Sequence, residues 1–121
     1  MLKLIIGDRN FSSWSLRPWL ALKQADLPFD ETLIPLRSAT TKADILKYSP
    51  SGKVPCLIDG ETVVWDSLAI CEYLAEKASS LWPSERKARA EARSVSAEMH
   101  AGFMALRQGM PLDVRASQPF M

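Results

Sequence analysis

The stretch that most constrains this chain is residues 52–67, reading Gly-Lys-Val-Pro-Cys-Leu-Ile-Asp-Gly-Glu-Thr-Val-Val-Trp-Asp-Ser. Two short runs rich in β-branched residues, 54–58 and 61–65, flank Asp59-Gly60, a turn dipeptide that predicts a tight two-residue hairpin. Pro55, at the start of the first run, has no N–H to give to a ladder, so it must lie on an edge or open a strand. The reading leaves that edge free to pair with another extended backbone. Beyond the second run, Asp66-Ser67 precedes an apolar-periodic segment, residues 68–75, and the pair reads as a helix N-cap. Helix N-termini attract anions. Within a dozen residues the chain therefore offers a strand edge for an extended peptide and a helix start for a carboxylate.

Composition bounds the function. With 121 residues, 47% hydrophobic and 24% charged, there is material for one ordinary core. Fifteen basic residues stand against 14 acidic ones, for a formal net charge of +1, so no electrostatic case exists for nucleic acid or an anionic membrane. The apolar run at residues 2–6 is too short for a secretory signal, and no stretch approaches the roughly 20 apolar residues of a membrane span. A cytoplasmic protein is expected. Cys56 and Cys71 form neither a disulfide framework nor a redox pair, and are expected as small buried hydrophobes. His100, the one histidine, has no Cys, Asp or Glu at ligand spacing, so no metal is expected and the ring should face solvent or take a hydrogen bond.

The remaining elements follow from periodicity. Residues 2–6 predict a buried strand, ended by Gly7-Asp8. After a polar loop, residues 16–24 predict a helix capped by Ser15, with Pro18 in its first turn and Leu16, Trp19 and Leu20 on its buried face. Residues 29–34 predict a second strand closed by Pro35, and residues 42–48 a short helix capped by Thr41. Strand, helix, strand, helix, strand, strand, helix implies an α/β unit: a parallel pair with a crossover, extended by a hairpin into a mixed sheet with helices on both faces. After residue 83 the pattern changes. Ser84 is expected to cap one long helix, with Ala88, Ala92, Val95, Met99, Phe103, Leu106 and Met110 forming one apolar stripe, ended by Gly109 and Pro111. Trp65 and Trp82 are expected to cover the junction between sheet and helices. The stripe needs a surface that the rest of the chain does not supply, either a continuation of the chain or a second copy.

The pairing of Val54-Pro55 with Asp66-Ser67 one hairpin later, together with the serine loop Ser12-Ser13-Trp14-Ser15, resembles the glutathione S-transferase family. The resemblance implies a thioredoxin-like domain over residues 1–80, with a mixed four-stranded sheet and a cis Pro55. It also implies the start of an all-helical domain over residues 84–121, within which the chain stops. It implies glutathione as substrate or cofactor, a small hydrophobic electrophile as partner in a detoxification-type conjugation, and a homodimer.

The same resemblance distributes roles. Val54, turned outward at Pro55, would pair its backbone with the cysteinyl residue of glutathione, which is strand addition in miniature. Ser67 would hold the γ-glutamyl carboxylate by hydroxyl and main-chain N–H, with Asp66 at the γ-glutamyl ammonium. Lys53 would add a second contact, and Lys42 or Arg37 would take the glycyl carboxylate. Ser12, with Ser13 as the alternative, would stabilise the thiolate at a helix N-terminus, and Arg17 would add positive potential. The loop looks like the Ser-Ser-Cys-Ser of zeta-type members, which include maleylacetoacetate isomerases, but Trp14 stands at their cysteine. Three functions compete: conjugation, with glutathione-dependent isomerisation as its variant; glutaredoxin-type exchange, which needs a cysteine this loop lacks; and non-catalytic binding or regulation.

Overall fold

Alternation along Leu2–Ile6 sets the architecture. In this strand, β1, Leu2, Leu4 and Ile6 point to one side and Ile5 to the other, and all four are buried, so the strand must be covered on both faces. The computed structural model describes residues 2–7, 13–35, 38–102 and 112. It continues with α1 (Ser13–Gln24), β2 (Phe29–Leu33), α2 (Thr41–Leu46), β3 (Cys56–Asp59), β4 (Thr62–Trp65), α3 (Ser67–Lys77), a 3₁₀ turn at Ser79–Leu81 and α4 (Arg86–Ala101). The sheet order is β2-β1-β3-β4, with β1 parallel to β2 and antiparallel to β3. Leu4 opposes Leu57 and Ile5 opposes Cys56, so the register places like with like on each face. One face joins Leu4 and Leu57 to Leu22 of α1 and to Ile70 and Leu74 of α3; the other joins Ile5 and Cys56 to Ile34 and to Ile45 of α2. This is the expected mixed four-stranded sheet with helices on both sides.

Several local expectations are corrected. Asp59 pairs with Thr62, so the two-residue hairpin loop is Gly60-Glu61, one position later than predicted, with Gly60 at φ +60°. Pro55 opens β3, and β3 is interior, with β1 and β4 on its two sides. The free edge expected there shrinks to Val54, which lies outside both ladders of β3.

Helix α1 begins at Ser13, three residues before the expected start. Ser15 is therefore not its cap. Its buried hydroxyl instead accepts the Gly7 N–H at 3.1 Å and ties the helix to the end of β1. Pro18 falls in the second turn, and Ser15, Pro18 and Leu22, at helical spacing, form the buried stripe. Leu20, two positions from both Pro18 and Leu22 and so about 200° round the helix from each, is half exposed, while Leu16 and Trp19 are only partly covered. Trp19 donates its indole N–H to Glu31 Oε1 at 2.8 Å, which fastens α1 to β2. Thr41, expected as a cap, is the first residue of α2; its hydroxyl donates to the Pro35 carbonyl at 2.7 Å.

Helix α4 is capped by Glu85 rather than Ser84, because a carboxylate offers two acceptors: its oxygens take the N–H groups of Lys87 at 3.0 Å and Ala88 at 2.7 Å. It ends at Gly102, ahead of the expected Gly109, and Phe103, Leu106, Met110 and Pro111 of the expected stripe and its end lie outside the described residues. No residue of α4 is buried, and Val95 and Met99 of the stripe are exposed. Among the described residues, no helix is long and apolar enough to cross a membrane.

Candidate functional site

At the junction of β4 and α3 the backbone adopts an uncommon shape. Asp66 has φ +78° and ψ +127°, a region that L residues seldom occupy, and this turns the chain sharply from strand into helix. Its Oδ2 accepts the Ala69 N–H at 3.1 Å, so the predicted N-cap is present. Ser67, the first helical residue, is buried. Across from it, the segment ahead of β3 is held by a serine turn: Lys53 N–H donates to Ser51 Oγ at 3.2 Å, and the Ser49 and Ser51 hydroxyls lie 2.9 Å apart. Gly52 sits in this turn at φ +71°, a conformation that suits a residue without Cβ. The Val54-Pro55 peptide bond is cis.

These two segments face each other across a cavity of about 520 Å³, a size suited to a small-molecule ligand. Lys53, Val54 and Pro55 line one side and Trp65, Asp66 and Ser67 the other, so five of the residues singled out from sequence converge on one space. Ser51, Trp14 of α1 and His100 of α4 complete the wall. The two rings meet edge to face with centroids 5.1 Å apart, and the Arg17 guanidinium lies over the Trp14 ring at 4.3 Å from its centroid. Arg17 thus braces Trp14 rather than lining this cavity. It lines a second one of about 480 Å³ between α1, α3 and α4.

Other candidates are not brought together. Ser13 opens α1 half-buried and Lys42 lies exposed in α2; neither lines the 520 Å³ cavity. Ser12 and Arg37 lie outside the described residues. Trp65, expected to cover a junction, is 48% exposed and forms part of the cavity wall. Trp82, expected at the junction of sheet and helices, lies among the helices instead, with the Arg93 guanidinium 5.3 Å from its ring centroid and its indole N–H buried without an acceptor.

The residue missed by sequence reasoning is His100. Its Nε2 lies 2.9 Å from Asp66 Oδ1 and its Nδ1 3.5 Å from Ser67 Oγ, so one imidazole spans the two groups at the start of α3. No local pattern could have found it, since it stands 33 residues from Ser67 on a helix whose placement depends on tertiary packing.

Neither cysteine is prepared for chemistry. Burial pushes the Cys71 thiol up to about 11, and burial likewise raises that of Cys56. Among the described residues no cysteine lines the 520 Å³ cavity, and no cluster of three metal-binding side chains exists. What the site can do is bind: a carboxylate for a cation, a helix start for an anion, a lysine, and a backbone segment outside the sheet.

Residues 11–77 match the family model of the glutathione S-transferase N-terminal domain. The chain belongs to the glutathione S-transferase family. It is 34% identical over 100 residues to a probable maleylacetoacetate isomerase of Caenorhabditis elegans, an alignment covering 81% of this chain and 46% of that protein. It is 40% identical over 76 residues to a zeta-class glutathione S-transferase of Euphorbia esula, covering 63% of this chain and 33% of that one. The fold superposes on a glutathione transferase homologue from Sulfitobacter, crystallised with bound glutathione, with a TM-score of 0.75 at 25% identity, covering 98% of this chain and 58% of the other. The chain thus spans less than half the length of these two sequence relatives. Its thioredoxin-like sheet is the family's N-terminal fold, and α4 begins the helical part.

Proposed function

We propose that this glutathione S-transferase family chain binds glutathione in the 520 Å³ cavity and presents its thiolate to a small hydrophobic electrophile. The observation that carries the reading is that Val54-Pro55 and Asp66-Ser67 face one common space. Glutathione is an extended peptide with two carboxylates, one ammonium and a thiol. Val54 pairs with the cysteinyl backbone as an added strand. Asp66 takes the γ-glutamyl ammonium, while the Ser67 N–H and hydroxyl, at the positive end of α3, take the adjoining carboxylate. Lys53 supplies a cation on the cavity wall; Lys42 and Arg37 are the remaining candidates for the glycyl carboxylate. The hydroxyl of Ser12, or of Ser13 at the start of α1, donates to the sulfur and favours its charged form, assisted by the helix N-terminus. Arg17 acts through Trp14, adding positive potential at one remove.

Residues 1–80 would then be the glutathione-binding domain and residues 84–121 the start of an all-helical one. The exposed Val95 and Met99 on α4 favour further apolar cover, and a homodimer in the cytoplasm fits that need. A second reading, glutathione-dependent isomerisation, is favoured by the similarity to the probable maleylacetoacetate isomerase.

Calorimetric titration of the chain with glutathione tests the binding step, and conjugation to a chlorodinitrobenzene tests the chemistry. Binding heat is expected, with turnover lowered by at least about tenfold in Ser12→Ala or Ser13→Ala, the usual scale for a lost charge-assisted hydrogen bond. Zero heat on titration refutes the reading. Binding without turnover leaves the non-catalytic alternative standing.

A further inference from the structure

His100 belongs to α4, yet its imidazole reaches the groups at the start of α3 to which the reading above assigns the γ-glutamyl end of the ligand. We propose that His100 is a positioning residue of that subsite: it locks the Asp66 carboxylate in the orientation that accepts an α-ammonium group. The proposal rests on the glutathione reading and extends it to the ligand class recognised, a zwitterionic α-amino acid end.

The geometry supports positioning over mere proximity. The Asp66 side chain is 47% exposed, and a carboxylate so placed samples several rotamers unless it is anchored. Here both oxygens are anchored, Oδ2 by the Ala69 N–H and Oδ1 by His100 Nε2 at 2.9 Å. Each oxygen keeps a further lone pair for a ligand. In its Nε2–H tautomer the imidazole donates to Asp66, while the single Ser67 hydroxyl proton stays with the ligand's carboxylate, so the ring acts on Asp66. The ring itself packs edge to face on Trp14, over which the Arg17 guanidinium lies.

His100 also lines both cavities, forming part of the wall between the 520 Å³ space and the apolar one behind it. The larger space persists with His100 in place, so the residue walls the site and does not fill it. A carboxylate held ready spares the ligand the cost of ordering it, and the gain should appear in affinity.

The test compares the wild-type chain with His100→Phe, which keeps a ring against Trp14 but removes both nitrogens, His100→Ala, and His100→Gln, which keeps an N–H donor. Each is titrated calorimetrically with glutathione and with glutaryl-cysteinylglycine, the same peptide lacking the ammonium. His100→Phe and His100→Ala are expected to bind glutathione about tenfold more weakly, the effect of losing one charge-assisted hydrogen bond. His100→Gln should recover affinity to within about threefold, and the deamino peptide should bind all four chains alike. Unchanged glutathione affinity in His100→Phe overturns the proposal, as does tighter binding, which would make His100 a competitor of the ammonium. An equal loss for the deamino peptide also overturns it, because the effect would then be general. If the wild-type chain takes up no glutathione, the underlying functional reading fails with it; wild-type binding with an indifferent His100 removes this proposal alone.

Discussion

Replacing Asp66 by alanine and by glycine separates three things that one residue does at once. Its φ of +78° and ψ of +127° cost an L residue about 2 kcal/mol relative to glycine. Its carboxylate caps α3 through Ala69, a contribution of about 1 kcal/mol when the replacement is alanine and a few tenths when it is glycine. The contact with His100, at a half-exposed carboxylate, adds about 0.5 kcal/mol. Asp66→Ala loses the cap and the contact while keeping the strained backbone, so it should be less stable by about 1.5 kcal/mol. Asp66→Gly loses nearly as much, including about 0.7 kcal/mol of extra chain entropy, but sheds the strain and should stay close to wild type. Urea denaturation followed by far-ultraviolet circular dichroism reads the gap. At a slope of about 1.5 kcal/mol/M, the two midpoints should differ by about 1 M. Both variants should lose glutathione binding in calorimetry, so the glycine chain would be as stable as wild type yet inactive in binding. Equal destabilisation of the two refutes the argument from backbone strain, and a glycine variant that binds like wild type refutes the role of the carboxylate.

Leu57, fully buried in the interior strand β3, should cost about 3 kcal/mol on replacement by alanine, read as a fall in urea midpoint with unchanged slope; a loss below about 1 kcal/mol would mean the two-faced core collapses around the gap. Asp59 accepts from the Tyr73 hydroxyl at 2.6 Å and from Lys77 at 3.1 Å, and these contacts lower its pKa while raising those of Tyr73 and Lys77. The depressed Asp59 stabilises above its unfolded value of 3.8 and loses that contribution as pH falls through the folded one, whereas the raised Tyr73 and Lys77 stabilise below 10.0 and 10.5 and lose it as pH rises. The contribution of this network should therefore be flat between those limits and fall outside them, and Tyr73→Phe should shallow the stability profile at both ends; an unchanged pH profile in that variant refutes the network. With its thiol pushed up to about 11, Cys71, half-buried on the wall of the 480 Å³ cavity, should react slowly with iodoacetamide at pH 7.5 in the folded chain and faster after denaturation in urea, and equal rates in the two states count against the raised thiol pKa.

The elements whose cause is local were legible in the amino-acid sequence. The run Leu2–Ile6, the turn at Gly60, the proline that opens β3 and the Asp66 cap all follow from one or two residues acting on their own backbone. Boundaries set by contacts across the fold were not. Ser15 reads as a cap until Gly7 is seen to need its hydroxyl, and the buried face of α1 is decided by what the sheet offers it, which moves it away from Leu20. Glu85 outcompetes Ser84 as a cap because two oxygens can serve two N–H groups at once.

The site divides along the same line. Lys53, Val54, Pro55, Asp66 and Ser67 lie on either side of a single hairpin, so short-range geometry carries them to one cavity and the sequence alone could gather them. His100 and Trp14 reach it from α4 and α1, whose positions depend on how the helices pack against the sheet. Periodicity records which side of a helix is apolar, but a single polar residue on that helix leaves no periodic trace. Where His100 points was settled by the docking of α4, and only there does a solitary histidine become a neighbour of Asp66.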